Sequence, residues 1–423
     1  MPTVTFDKKT VLKYLGKKVP DTVLKDRISM LGTDLERVDD TEIVVEIFPN
    51  RPDMLSEEGF ARALSSFMGI KTGLIKYDVK KSGSFTKVEK TLKIWPYVVT
   101  GIVRGLKFDD EKIRALIQLQ EKLGVTMCRK RRKGGIGIYP LDKIKLPITF
   151  TTMDADKIKF RPLEYPNEIT GREILEKHPT GREYGHIIEK QKEFPVFIDA
   201  SGKIMSMPPA INSHDIGKIT EATSDIFLEA TGPDLVTLMQ AINIISSALA
   251  DAGGKVYSMD VIYKGKTITT PNLAPSKMKI DIKYINKLLG MEFSEKELNA
   301  LLAKMGFGRE KNSVLVPAYR TDILHPIDIV EDIAIAYGYE NFAEEIPNVS
   351  TIGTESKSAI FQRKVAEVMV GFSFLECMSY HLSNKEVLVS KMNSSNTKVV
   401  HVSNAVNAEY GVLRQGILPG LMK

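Results

Sequence analysis

The sequence predicts an α+β chain of several domains: two similar small winged-helix-like α/β modules on either side of a larger mixed α+β domain, with a further unit behind them. Three observations lead there. The chain has 423 residues, 43% apolar and 26% charged, an ordinary globular balance with length for about three domains. Strand-like and helix-like stretches between about 90 and 265 alternate irregularly, unlike the strict βαβ order of a parallel sheet. The plan of the first 70 residues also recurs at 278–342.

The first module, residues 1–75, reads helix, helix, strand, helix. Asp7 caps a helix through Leu15 that closes at Gly16, and a second runs from about Asp21 to Leu31 and closes at Gly32. Ile43-Val-Val-Glu-Ile47 is a short β-branched strand. Pro49–Asp53 is a turn, and Ser56 caps a helix running toward Gly69. Residues 72–90 read as a linker.

The central domain, 90–268, offers strands at Trp95–Val99, Gly101–Val103, Ile136–Ile138, Ile148–Phe150 and Val196–Ile198, with helices at Ile113–Leu123 and Leu235–Leu249. The second module, 272–345, repeats the first. A helix from Asp281 ends at Gly290, Ser294 and Glu297 form a capping box for a helix ending near Gly306, Val314–Val316 is the strand, and Pro326 opens a helix that stops before Gly338. Gly16 to Gly32 and Gly290 to Gly306 both span 16 residues, as do Asp53 to Gly69 and Asp322 to Gly338. Arg51-Pro-Asp53-Met-Leu55 matches Arg320-Thr-Asp322-Ile-Leu324. The last unit, 348–423, carries a helix near Ala359–Val370 and little closure, which predicts an unfinished domain completed by further chain or by a partner.

Composition excludes several classes. Two cysteines exclude a disulfide scaffold and a four-cysteine zinc site. There is no signal-peptide pattern at the N-terminus and no apolar run of membrane-spanning length, so the expected compartment is the cytoplasm with no membrane partner. The net charge of +6 is uneven. Arg129, Lys130, Arg131, Arg132 and Lys133 are consecutive and precede two glycines, a pattern that suits a loop following a phosphate backbone and also suits a solvated surface. Residues 321–350 hold seven acids and neither Lys nor Arg.

The phosphate-loop, dinucleotide, zinc-protease and nucleophile-elbow motifs are all missing, and none of the six histidines is paired at metal-ligand spacing. The acidic helix carries more. Asp328, Glu331 and Asp332 share one helical face, and Asp322 lies one turn before it. Without nearby cations such a group repels itself unless a hard cation such as magnesium collects it, while the helix dipole alone also favours acids there. In the first module the matching positions are Gly59, Arg62 and Ala63, so the acids are not needed to build the module. A third candidate is 194–234, where strand, turn, Met-Pro-Pro and a second strand would shape a pocket offering Ser206, Asn212, Glu229 and Thr231. A polar strand edge with turn residues is the other reading of the same window.

The most specific stretches are Phe48-Pro-Asn-Arg-Pro-Asp-Met-Leu-Ser-x-Glu-Gly59, Met207-Pro-Pro-Ala-Ile-Asn212, and Val316-Pro-Ala-Tyr-Arg-Thr-Asp-Ile-Leu-His-Pro-x-Asp-x-Val-Glu-Asp-x-Ala-x-Ala-Tyr-Gly-Tyr339. Through them the whole chain resembles the β subunits of phenylalanyl-tRNA synthetases of the archaeal and eukaryotic cytosolic type. The resemblance implies an α₂β₂ enzyme that attaches phenylalanine to its tRNA using ATP and magnesium. In that enzyme the α subunit carries the aminoacylation site, and the central β domain hydrolyses tyrosine wrongly attached to the tRNA. It implies a magnesium site at Asp322, Asp328, Glu331 and Asp332, an editing pocket at Phe197, Ser206, Glu229 and Thr231, and in Leu413-Arg-x-x-Ile-Leu-Pro-Gly-Leu421 the start of a class II synthetase-like domain. Archaeal members commonly carry Asp where this chain has Glu229, and the chain stops at Lys423, before the family's usual end. Two further readings stand beside this one: a non-catalytic tRNA-binding and assembly subunit with a degenerate pocket, and a DNA-binding protein on winged modules, which the acidic face disfavours.

Overall fold

The computed structural model describes residues 2–396 and 398–423. They form two compact units, one ending at Ala343 and the other starting at Glu344.

The first unit opens with strand β1 (Thr3–Asp7), helices α1 (Lys8–Leu15) and α2 (Asp21–Met30), strands β2 (Asp34–Val38) and β3 (Glu42–Glu46), a 3-10 turn at Pro52–Met54, and helix α3 (Glu57–Phe67). Asp7 accepts from the Thr10 N–H to start α1, and Gly16, with φ of 80°, ends it in the left-handed conformation that glycine adopts without strain. Ser56 caps α3 through the Gly59 N–H.

The central region follows with β4 (Val79–Val88), β5 (Tyr97–Arg104), α4 (Asp110–Val125), β6 (Gly135–Pro140), β7 (Ile148–Asp154), the short pair β8 (Lys159–Phe160) and β9 (Ile169–Thr170), α5 (Gly171–Lys177) and α6 (Pro179–Tyr184). Next come β10 (Glu193–Ile198), β11 (Ile204–Met207), β12 (Ile211–Asn212), α7 (His214–Gly217), β13 (Ile226–Gly232), α8 (Leu235–Asp251), β14 (Lys255–Tyr263) and β15 (Lys266–Thr270). Ten strands form one sheet in the order β12-β11-β10-β7-β4-β14-β5-β13-β6, with β15 paired to β14. Strand β13 is buried along its whole length and serves two cores. Ile226, Leu228 and Ala230 pack with Leu238, Ile242 and Ile245 of α8, while Phe227 on the other face joins Trp95, Tyr139, Phe150 and Phe197.

The second module repeats the first: β16 (Ser276–Lys279), α9 (Ile282–Leu289), α10 (Glu295–Lys304), β17 (Gly308–Glu310), β18 (Ser313–Val316) and α11 (Pro326–Tyr337). Its sheet runs β16-β18-β17, the counterpart of β1-β3-β2. Asp281 caps α9, Gly290 closes it at φ 65°, and Ser294 with Glu297 makes both bonds of the capping box. One continuous core runs from Val4 and Phe60 through α8 to Phe307 and Ile333, so both modules and the central sheet pack together.

Two expectations need correction. Each module has three strands rather than one, because β1, β2, β16 and β17 expose most of one face and read as polar. Residues 79–88, read as part of a linker, are β4, which lies parallel to β14 and to β7 inside the large sheet. Only Thr86 and Val88 of this strand are buried, and its lysines and serines otherwise face solvent.

The second unit carries α12 (Lys357–Gly371), the two-stranded pair β19 (Leu382–Ser383) and β20 (Val412–Leu413), and α13 (Leu418–Leu421). Its buried cluster consists of Leu388, Val389 and Val412, and Phe361, Val365 and Val368 of α12 are exposed.

Candidate functional site

The residues of the 194–234 window meet because the large sheet curls until its two end strands touch. Phe197 on β10 pairs with Ser206 on β11, and Ser206 pairs with Asn212 on β12. At the other end β13 lies between β5 and β6, with Phe227 opposite Tyr139, Glu229 opposite Gly137 and Thr231 opposite Gly135. The Tyr139 hydroxyl on β6 closes the ring: it lies 3.1 Å from Asn212 Oδ1 on β12 and 3.2 Å from Glu229 Oε1 on β13. Phe197 forms an apolar wall, its ring tilted at 53° to that of Phe150 with centroids 5.0 Å apart.

The electrostatics are those of a dry site. Ser206, Glu229 and Thr231 are at most 3% exposed. Burial pushes the Glu229 carboxyl up to about 8, against smaller lowering effects from the Tyr139 hydrogen bond and the Arg131 charge, so it is largely neutral at pH 7. The Glu229 side chain there is therefore a carboxylic acid rather than a carboxylate. Glu229 Oε2, Ser206 Oγ, Thr231 Oγ1 and Trp95 Nε1 are all buried without a hydrogen-bond partner. Native interiors rarely leave such groups unpaired, and here four of them lie in one neighbourhood.

Tyr139, Gly137, Trp95 and Arg131 were not singled out as pocket residues from the sequence. A signal for two of them is present: in Gly135-Ile-Gly137-Ile-Tyr139 the isoleucines alternate with glycines, which marks a strand with one face kept clear. A Cβ at Gly137 would collide with both Glu229 Oε1 and the Tyr139 oxygen.

The basic run is a tight loop after α4 in which Arg129, Lys130 and Arg131 have φ of 50°, 51° and 60°. The five charges do not act alike. Arg129, Lys130 and Arg132 are exposed. Arg131 turns inward, donating to the carbonyls of Pro209 at 2.7 Å and Ala210 at 3.1 Å over the Tyr184 ring, and Lys133 pairs with Asp234 at 2.9 Å. Of the run Arg129–Lys133, three cations are thus exposed, and Arg131 and Lys133 have partners within the chain.

The acidic group is not assembled as a metal site. Arg320 forks onto Asp322, through Nε at 2.9 Å and Nη2 at 2.7 Å, and reaches Asp332 Oδ2 from Nη2 at 2.5 Å. Asp328 caps α11 by accepting from the Leu324 and His325 N–H groups, and Glu331 accepts from the Tyr339 hydroxyl at 2.8 Å. Among the described residues no three His, Cys, Asp or Glu side chains are placed to hold a metal. The expected cation is supplied by Arg320 itself, so the four carboxylates do not fit a shared magnesium ion. The first module has the same fork, Arg51 on Asp53 at 2.8 and 2.9 Å. Both forks line one small cavity, where the Arg62 guanidinium also stacks on the Tyr319 ring at 3.8 Å.

Comparison with known proteins gives a consistent picture. A family model described as the tRNA synthetase B5 domain matches residues 278–339, and one described as the phenylalanyl tRNA synthetase beta chain CLM domain matches 343–423. The chain is 42% identical over 379 residues to a phenylalanine–tRNA ligase beta subunit from Pyrococcus horikoshii, covering 88% of this chain and 68% of that protein. It is 38% identical over 431 residues to the one from Archaeoglobus fulgidus, covering 100% and 78%. A crystal structure of an N-terminal fragment of the phenylalanyl-tRNA synthetase beta-subunit from Pyrococcus horikoshii superposes with a TM-score of 0.76 at 39% identity, over 79% of this chain and 99% of that one.

Proposed function

The chain belongs to the phenylalanine–tRNA ligase β-subunit family, and from that premise we propose that it joins an α subunit in an α₂β₂ enzyme and hydrolyses tyrosine wrongly attached to the tRNA for phenylalanine. The observation that carries the editing reading is the cluster of unpaired buried polar atoms on Ser206, Glu229, Thr231 and Trp95 beside the Phe197 wall. Tyrosine exceeds phenylalanine by one hydroxyl. A site whose polar groups need that hydroxyl rejects phenylalanine, because they would stay buried and unpaired. Phenylalanine attachment, with ATP and magnesium, is assigned to the α subunit, and the unit from Glu344 onward to the start of a class II-like domain that supports the contact with it.

Among the described residues no histidine or cysteine is hydrogen-bonded to Ser206, Glu229 or Thr231. Hydrolysis would therefore rest on a water positioned at the ester by Ser206 and Thr231 and on the terminal ribose hydroxyl of the tRNA, a matter of proximity rather than side-chain acid–base power. The exposed Arg129, Lys130 and Arg132 would hold the tRNA backbone beside the site.

The experiment is deacylation of Tyr-tRNA and Phe-tRNA by the purified chain, alone and with its α subunit, for wild type and Glu229→Ala. The reading expects preferential loss of tyrosine by wild type and a preference narrowed ten- to a hundredfold, roughly, in the variant. Equal, slow loss of both amino acids from wild type would leave an assembly subunit with a degenerate pocket.

A further inference from the structure

We propose that Tyr139 is a positioning residue for the editing site: by engaging Glu229 Oε1 it fixes which carboxyl oxygen carries the proton and leaves Oε2 as the acceptor that reads the substrate phenol. The proposal rests on the editing reading and deepens it.

The Tyr139 hydroxyl stands within hydrogen-bond distance of two acceptor oxygens, Asn212 Oδ1 and Glu229 Oε1, with the Ser206 hydroxyl also near it as a donor, but it has one proton of its own to give. Both contacts are satisfied at once when Tyr139 donates to Asn212 and Glu229, protonated on Oε1, donates to Tyr139. Burial that holds the Glu229 carboxyl neutral supplies that proton. Oε2 is then the carbonyl oxygen of the acid, a pure acceptor, and it is the oxygen left without a partner. A tyrosyl hydroxyl can donate to it, whereas a phenylalanyl ring cannot. Gly137 belongs to the same device, since any side chain there would push the carboxyl and the phenol apart. The charged or titratable groups facing Glu229 are Tyr139 from β6 and Arg131 from the basic loop. Thr100 from β5, its cross-strand neighbour, does not titrate in this range.

The test compares Tyr139→Phe and Asn212→Ala with wild type. It reads kcat and KM for deacylation of Tyr-tRNA and Phe-tRNA against pH, with thermal melts to establish that each chain is folded. Tyr139→Phe should narrow the Tyr/Phe preference at least tenfold and move the pH midpoint of Tyr-tRNA hydrolysis upward, because on ionisation of Glu229 the Tyr139 hydroxyl turns from Asn212 to donate to the carboxylate, and that stronger, charge-assisted bond is lost. Asn212→Ala should move the midpoint downward, because the Tyr139 proton is released to Glu229. A structural role for Tyr139 predicts no such opposition of sign. If Tyr139→Phe does not fold, the downward shift in Asn212→Ala still decides. A preference and midpoints unchanged in the folded variants overturn the proposal and leave the editing reading standing. A wild-type chain that does not prefer Tyr-tRNA overturns both.

Discussion

Arg320 and Asp322 face each other through two parallel hydrogen bonds, Nε to Oδ1 at 2.9 Å and Nη2 to Oδ2 at 2.7 Å, in a setting where both side chains are almost fully buried. The same Nη2 reaches Asp332, in the second turn of α11. This fork is the inner end of the R-x-D-x-L motif, and its twin at Arg51 and Asp53 shares the same cavity. The motif is therefore a structural clasp in each copy of the module, and the second copy adds a carboxylate, Asp332, where the first has Ala63.

The first prediction follows from that clasp. Removing the guanidinium that hydrogen-bonds both Asp322 and Asp332 strands two buried carboxylates without their direct partner, and breaking a buried pair in this way costs about 3–5 kcal/mol. Arg320→Met should lower the urea midpoint accordingly. Millimolar magnesium should leave the melting temperature of wild type and of Asp328→Asn equally unmoved. A magnesium-dependent rise that Asp328→Asn abolishes would return the carboxylates to metal binding.

How far the sequence reached depends on how far apart the partners are. The helix ends at Asp7, Gly16, Ser56, Asp281, Gly290 and Ser294 were legible because capping is decided within three or four residues. Strand β4 was not, since it pairs with β14 far along the chain and its own pattern is mostly lysine and serine. The acids of α11 were found, but their counterion, Arg320, was read as part of a repeated motif, because a two-residue spacing does not reveal that the guanidinium folds back into the core. Tyr139 and Asn212 lie 73 residues apart, and only the curl of the sheet brings them together. Glu229 was found from its segment alone. Its neutral state was not, because ionisation depends on burial that the segment does not display.

The basic loop gives the second prediction. Each phosphate neutralised contributes about 0.7–0.9 to the slope of log affinity against log salt. Serine at Arg129, Lys130 and Arg132 together should flatten the slope for tRNA binding by roughly 2–3, the sum for three contacts. A slope unchanged in filter-binding or anisotropy titrations would make the loop a solvated surface.

Arg131 should behave differently from its neighbours. Its donors hold the Pro209 and Ala210 carbonyls, the turn that leads into Asn212. Arg131→Ala should leave the salt slope nearly as it is but slow Tyr-tRNA hydrolysis and reduce stability by about 1–3 kcal/mol, the cost of stranding buried acceptors. A variant that flattens the slope as much as Arg129→Ser does would place Arg131 on the RNA instead.

The last prediction concerns pH and stability. In the unfolded chain Glu229 ionises near 4.5, whereas in the fold burial holds its proton up to about 8. Between those values the folded state binds one more proton than the unfolded state. By linkage, the share of stability that depends on Glu229 is therefore greatest below about 4.5 and declines as pH rises toward 8. Glu57, also pushed up by burial, to about 7, adds a decline of the same sign. Glu229→Gln removes the Glu229 share alone, so the difference between wild type and variant isolates it. At roughly 1.4 kcal/mol per unit, the wild-type chain should lose on the order of 4 kcal/mol relative to Glu229→Gln between pH 4.5 and 8. Denaturant melts at half-unit steps of pH measure this directly. A flat difference across the window would mean that the carboxyl is ionised in the fold, and the hydroxyl of Tyr139 would then have to donate to it rather than to Asn212.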